Sequence, residues 1–183
     1  MHWKVLESKA LFKAGYLHIR EDKCELPDGR IMPRYYVIEF PDWVNVFPVT
    51  REGEVLLLKQ YRQASGKVHI EVPGGSSDPH RHESMQEAAL RELLEETGYE
   101  AGEIVKVGAH YPNPALQGNQ MHSYVALDCK KVAEPNLDPY EDLELYPCSL
   151  QQVEGHLLAG DIDHSIMVTS ITMALNYLKN NHK

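Results

Sequence analysis

Apolar positions along the chain come in two spacings. Short runs rich in Val, Ile, Leu, Tyr and Phe recur at 4–8, 17–20, 35–40, 44–49, 54–60 and 68–72, each bounded by turn chemistry, and they predict strands. The stretches 13–15 and 26–29 read as turns, with Asp28-Gly29 a hairpin signal. Further strands are expected near 103–109, 122–127 and 143–146. Helical spacing takes over at 83–97, at 150–158 with Gly160 as its stop, and at 165–178, where Ile166, Thr169, Met173, Ala174 and Leu178 mark part of the buried side. Helices on both sides of a mixed central sheet give an α/β protein built as an α/β/α sandwich.

The helix at 83–97 is the most informative element. Ala, Leu, Glu, Gln, Met and Arg fill it, and no Pro or Gly occurs before Gly98, its expected stop. At roughly 100° per residue, Glu92, Glu95 and Glu96 share one arc with Ala88 and Ala89 on or beside it, while Leu90, Leu93 and Leu94 are free to bury on the other side. Three carboxylates on a helix face are ordinarily a solvated surface, and Arg91 with Glu95 an ordinary i,i+4 pair. Their placement argues for more. Carboxylates late in a helix oppose its dipole, and like charges one turn apart repel, so a bound cation would relieve both. Mg²⁺ suits such a site, because it takes a few carboxylates together with water and phosphate oxygens.

Composition narrows the partners. With 183 residues, 43% apolar and 25% charged, the chain is an ordinary globular one with room for a real core. A net charge of −9 disfavours nucleic acid, and it requires local basic residues and metal to draw in a small anionic substrate. Cys24, Cys129 and Cys148 are odd in number and widely spaced, which suits reduced thiols in the cytoplasm. No apolar run reaches membrane-spanning length, and residues 1–9 contain no apolar signal core, so no membrane partner is expected. Pro41-Asp42 breaks the strand pattern and divides a β-rich arm, 1–41, from the main domain, 42–183. Two short hairpins bury little by themselves, so the arm must pack on the domain or on another subunit.

One motif carries a resemblance. Glu83, seven intervening residues, then Arg91-Glu92-Leu93-Leu94-Glu95-Glu96-Thr97-Gly98-Tyr99 resembles the signature of the Nudix hydrolases. The upstream half departs from that family, since seven residues separate Gly75 from Glu83 where the family has five. Residues 55–75, with Gln60-Tyr61-Arg62 and Glu71-Val72-Pro73-Gly74-Gly75, look like the branch that acts on ADP-ribose and related nucleoside diphosphate sugars.

The resemblance implies the same α/β/α sandwich and a Mg²⁺-dependent hydrolase, with Mn²⁺ as the alternative ion. Its metal ligands would be Glu92, Glu95, Glu96 and the Gly74 carbonyl, with Arg91 orienting the cluster and Glu83 in a water-mediated or structural role. Arg62 would clamp the diphosphate, although a structural salt bridge is its plain alternative. Glu71 would accept from a ribose or base edge, or pair with Arg62, and Trp43, Tyr35 and Tyr36 are candidates for stacking on a base. The loop 111–122, where relatives often place a catalytic Glu, has no carboxylate, and Asn119 stands near that place. The base would then be a motif glutamate or come from the acidic stretch holding Glu141, Asp142 and Glu144, with Glu141 preferred. His80 and His82, with Arg81, are solvated or meet a phosphate. Relatives use such an arm to form homodimers. The alternatives are a GDP-mannose-preferring or broad hydrolase, and a non-catalytic regulator that binds sugar nucleotides.

Overall fold

In the computed structural model, residues 2–77 and 82–181 are described, and they hold eleven strands and three helices. The chain divides into two units, Met1–Asp42 with Tyr111–Gln120, and Trp43–His110 with Met121–Lys183.

In the first unit, β1 (Lys4–Ala14), β2 (Leu17–Glu25) and β3 (Ile31–Glu39) form an antiparallel sheet in that order. Gly15 and Gly29 turn the chain with φ of +54° and +84°, a region that glycine enters without strain. The strands run well past the apolar clusters that announce them. Every residue of β1 is exposed, so its length is set by pairing with β2 and by cross-strand ion pairs such as Lys23 with Glu7, at 2.8 Å. The later segment joins this unit through its carbonyls: Ile38 N donates to Leu116 O at 2.7 Å, and the Tyr35 hydroxyl donates to Ala115 O at 2.8 Å.

In the second unit, β4 (Trp43–Thr50) lies parallel to β10 (Met121–Lys131) at the centre of a mixed sheet. Antiparallel neighbours β5 (Glu54–Arg62), β6 (Lys67–Glu71), β9 (Glu103–His110) and β11 (Leu143–Ser149) extend it. Alternate residues of the central strands serve opposite faces. Val44, Val46, Tyr124 and Ala126 pack under α1 (Met85–Thr97) with Ala88, Ala89 and Leu93. Phe47 and Val125 face the other way, toward Val153 of α2 (Leu150–Ala159) and Met167, Ile171 and Ala174 of α3 (Ser165–Asn181). This is the expected α/β/α sandwich.

Four details differ from the sequence reading. First, α1 starts at Met85, because Ser84 caps it in a reciprocal box with Glu87. Second, the sheet-facing side of α1 is Ala88, Ala89, Glu92, Leu93, Glu96 and Thr97, with Leu90 and Leu94 only half buried. The two alanines allow the helix to approach the sheet closely, which draws Glu92 and Glu96 into the protein. Third, the seam of α3 runs through Met167, Ser170 and Ile171, and Thr169 is exposed. Ser170 lies inside because its hydroxyl meets Asn45 Nδ2 at 2.7 Å and the Ser123 hydroxyl at 2.8 Å, so the buried polar groups satisfy one another. Fourth, β7 (Gly74–Ser76) and β8 (Tyr99–Glu100) are too short to leave an apolar pattern.

Candidate active site

Three pieces of chain meet on the α1 side of the second unit. The first is the ββ hairpin that ends in Arg62 and leads through Pro73 into β7. Pro73 O accepts from Val46 N at 2.9 Å, and Gly74 and Gly75 lie beside Asn45 and Val44. Position 74 must be glycine, since a Cβ there would collide with the Val44 carbonyl. A Cβ at position 75 would occupy the place of the Glu92 carboxylate, so this glycine makes the hollow in which that carboxylate rests.

The second piece is α1, where Arg91 gathers acids. It donates to both oxygens of Glu83 at 3.0 and 3.1 Å, to Glu92 at 2.9 Å and to Glu95 at 2.9 Å. These carboxylates, Glu83 first, hold its guanidinium above its ordinary pKa. Glu83 is thus the main partner of Arg91.

The third piece is the acidic loop. Val132 N and Ala133 N donate to Gly98 O, and Asn136 N donates to Glu95 O at 2.7 Å, which ties the loop to the C-terminal end of α1. Gly98 is left-handed and abuts the Ala133 carbonyl, so the helix stop also docks the loop. Further along, Asp138 N donates to Glu141 Oε2 and Glu141 N to Asp138 O, which closes a turn around Pro139-Tyr140.

Together these pieces enclose a polar cleft of about 410 Å³ lined by Arg62, Gly74, Gly75, Arg91, Glu92, Glu95, Glu96 and Glu141, with Gln60, Ser76, Asn136 and Asp138 completing it. Another cavity, of about 450 Å³, is walled mainly by Val49, Leu127, Leu150, Leu175 and Leu178 and contains none of the motif residues. Chemistry belongs to the polar cleft.

Its electrostatics are those of carboxylates short of counter-charge. Glu96 is only 3% exposed, and burial, with the nearby Glu92 and Glu141 charges, pushes its pKa up to about 9 against the pull of the Gly74 N–H, which donates to it at 2.8 Å. Burial also raises Glu92, opposed by Arg91. Hard oxygen donors gathered on one wall of the cleft fit a divalent cation. Among the described residues no three His, Cys, Asp or Glu side chains stand as a ready metal cluster, and Arg91 and the Gly74 N–H each donate to carboxylate oxygens of this group.

Two of the substrate residues expected from sequence lie outside the cleft lining. Glu71 is 1% exposed; Arg62 Nε and Nη2 reach its two oxygens at 3.1 and 2.5 Å, and His164 Nδ1 lies 3.0 Å from Oε1. Desolvation pushes Glu71 up, but His164 and Arg62 outweigh it and hold the carboxylate at about 2. Glu71 therefore meets Arg62, and Arg62 meets the cleft. Trp43 stands opposite Ser76 in the β4–β7 register. Tyr35, Tyr36 and Asn119 belong to the first unit, where Asn119 is buried with its side-chain amide unpaired among the described residues. His82 is exposed, whereas His80 and Arg81 lie outside the described residues. Sequence reasoning missed Asp138, which the turn with Glu141 would have indicated, and His164, which no local signal links to a residue 93 positions away.

Comparison with known proteins settles the family. The NUDIX domain family model matches residues 40–168. The chain belongs to the Nudix hydrolases. Residues 3–37 of this Nudix protein match the nucleoside diphosphate sugar hydrolase N-terminal domain. Its relatives include an ADP-ribose pyrophosphatase of Bacillus subtilis (strain 168), 30% identical over 81% of this chain and 79% of the relative. A methanol dehydrogenase activator of Bacillus methanolicus is 29% identical over 92% and 90%. A GDP-mannose pyrophosphatase of Escherichia coli O9:H4 (strain HS) is 28% identical over 73% and 70%. A crystal structure of an ADP compounds hydrolase superposes with a TM-score of 0.86 at 20% identity, covering 100% of this chain and 97% of that one, a likeness of fold.

Proposed function

We propose that this Nudix protein hydrolyses the diphosphate of nucleoside diphosphate sugars, ADP-ribose foremost, to a nucleoside monophosphate and a sugar phosphate. The observation that carries this reading is the cleft itself, in which Arg62 faces Glu92, Glu95, Glu96 and Glu141 across a volume of about 410 Å³. Among relatives, the ADP-ribose pyrophosphatase supports the substrate class and the GDP-mannose pyrophosphatase keeps that sugar nucleotide in the panel.

Glu92, Glu95, Glu96 and the Gly74 carbonyl would hold Mg²⁺, with Mn²⁺ as the alternative. Bound there, the cation supplies charge neutralisation at the phosphates and a water of lowered pKa. Arg91 holds the acids in register from Glu83. Arg62 clamps the diphosphate, since its edge is fixed on Glu71 and, among the described residues, Nη1 has no protein partner. Glu141, on a loop anchored to α1, takes the proton of the attacking water. Glu92 and Glu96 complete the catalytic set, and Trp43, outside the lining but paired in register with Ser76 of it, is the candidate for stacking on the base. Three buried free thiols support a reducing compartment, the cytoplasm. No described helix is long and apolar enough to cross a membrane.

A second reading is a regulator, favoured by the similarity to a methanol dehydrogenase activator over 92% of the chain. The full set of motif carboxylates speaks for turnover. The deciding experiment is phosphate release in a phosphatase-coupled assay over ADP-ribose, GDP-mannose, ADP-glucose, UDP-glucose, diadenosine polyphosphates and nucleoside triphosphates, with Mg²⁺ and with EDTA. Metal-dependent cleavage restricted to diphosphate sugars is expected. Ligand binding without turnover would favour the regulator, and cleavage only of triphosphates or dinucleotides would remove the assigned substrate class.

A further inference from the structure

The linker between α2 and α3 places Asp163 and His164 side by side, and each grips β6. His69 Nδ1 lies 2.6 Å from Asp163 Oδ1, and His164 Nδ1 lies 3.0 Å from Glu71 Oε1. A carboxylate only accepts, so both histidines donate, one from the strand and one from the linker. Ser65 Oγ stands 2.6 Å from His69 Nε2, which gives the spacing of a hydrolytic triad. That triad has no oxyanion site at its own turn, because the N–H groups of Ser65 and Gly66 both go to the Arg62 carbonyl, at 3.2 and 2.9 Å. Its effect is mechanical: it fixes the turn that follows Arg62.

His164 acts on the other side of the same arginine. Arg62 is 43% exposed in its side chain, while the Glu71 carboxylate beneath it is 2% exposed. Held by Arg62 alone, the buried carboxylate and the guanidinium could swing as a pair about the glutamate's terminal torsion, which is broad. A third donor from a different element fixes the carboxylate plane and with it the guanidinium fork.

We propose that His164 is a positioning residue for the Arg62 clamp, acting through Glu71 to hold the guanidinium in the orientation that presents Nη1 to a diphosphate. The proposal rests on the reading of the cleft as a diphosphate-sugar site. A clamp that holds substrate and transition state alike acts on KM more than on kcat. His164→Ala is therefore expected to raise KM for ADP-ribose about tenfold and to leave kcat within about twofold. His164→Asn, which puts an amide N–H near the place of Nδ1, recovers most of the loss.

The test is a double-mutant cycle of His164→Ala and Arg62→Ala, read by steady-state kinetics and by calorimetric binding of inorganic pyrophosphate with Mg²⁺, on proteins whose melting confirms folding. The expected result is that His164→Ala has no further effect once Arg62 is gone. Additive effects, or a His164→Ala protein that binds and turns over like wild type, would overturn the positioning role. Wild type that cleaves no diphosphate sugar but binds pyrophosphate, with variants that lose this binding non-additively, would overturn the substrate reading and leave the positioning role standing. Absence of both turnover and pyrophosphate binding would overturn both.

Discussion

At the scale of single residues, the two adjacent glycines of β7 have separable duties. A methyl at position 74 meets the backbone carbonyl of Val44, which cannot move without disturbing β4, whereas the atoms nearest a methyl at 75 belong to the side-chain carboxylate of Glu92, which can turn aside without moving backbone. Gly74→Ala is therefore expected to lower the melting temperature by several degrees. Gly75→Ala should melt near wild type and lose turnover, because its methyl displaces the Glu92 carboxylate. Calorimetry and the coupled assay on both variants check this pair, and equal melting of the two would refute the distinction. Glu96→Gln complements them. The amide oxygen still accepts from Gly74 N–H, and burial already disfavours a charge at this position, so a neutral side chain of the same shape keeps the fold. Loss of a cation ligand should lower kcat by roughly a hundredfold or more. Near-normal turnover in this variant would overturn the metal assignment.

At the scale of elements, the docking of β6 against the α2–α3 linker makes stability depend on acid. Glu71 has its pKa depressed from 4.5 to about 2. A depressed carboxylate stabilises the fold above its unfolded pKa, and that contribution disappears as pH falls from about 4.5 to about 2. The shift corresponds to about 3 kcal/mol. Urea melts between pH 7 and pH 2 should show wild type weakening through that window, while Glu71→Gln starts less stable and has a flatter profile there. Parallel profiles for the two proteins would count against the ion-pair account. The strands and helices here were largely legible from spacing and caps: Gly98 and Gly160 end α1 and α2 as their sequence positions predict. The phase of α1 was not. Sequence put Glu92, Glu95 and Glu96 on an outward arc, yet Ala88 and Ala89 bring the helix so near β4 and β10 that Glu92 and Glu96 are buried with them. Residue size decided this, and hydrophobic periodicity does not register size. The His164–Glu71 contact was illegible for a different reason, since it joins residues 93 positions apart through the tertiary fold alone.

At the scale of the whole molecule, the first unit poses the question of what its apolar surface is for. Phe12, Ile31 and Tyr36 are exposed on one face of a three-stranded sheet, opposite or beside Ile19, Glu25 and Glu21 of β2, and β1 exposes all eleven of its residues. Such a strand presents an unpaired edge and a hydrophobic side, a combination that soluble proteins normally cover. The match of residues 3–37 to the nucleoside diphosphate sugar hydrolase N-terminal domain supports a role for this unit shared with that group of enzymes. We propose that it joins two copies of the chain. Light scattering on a sizing column should give twice the chain mass of 20.8 kDa at micromolar concentration. Charging that face with Phe12→Asp and Tyr36→Asp places carboxylates in any interface formed there, where each unpaired charge costs several kcal/mol, and should shift the species to one chain. A wild-type protein that elutes as a single chain at that concentration would refute the dimer. A variant that remains dimeric would move the interface to another surface.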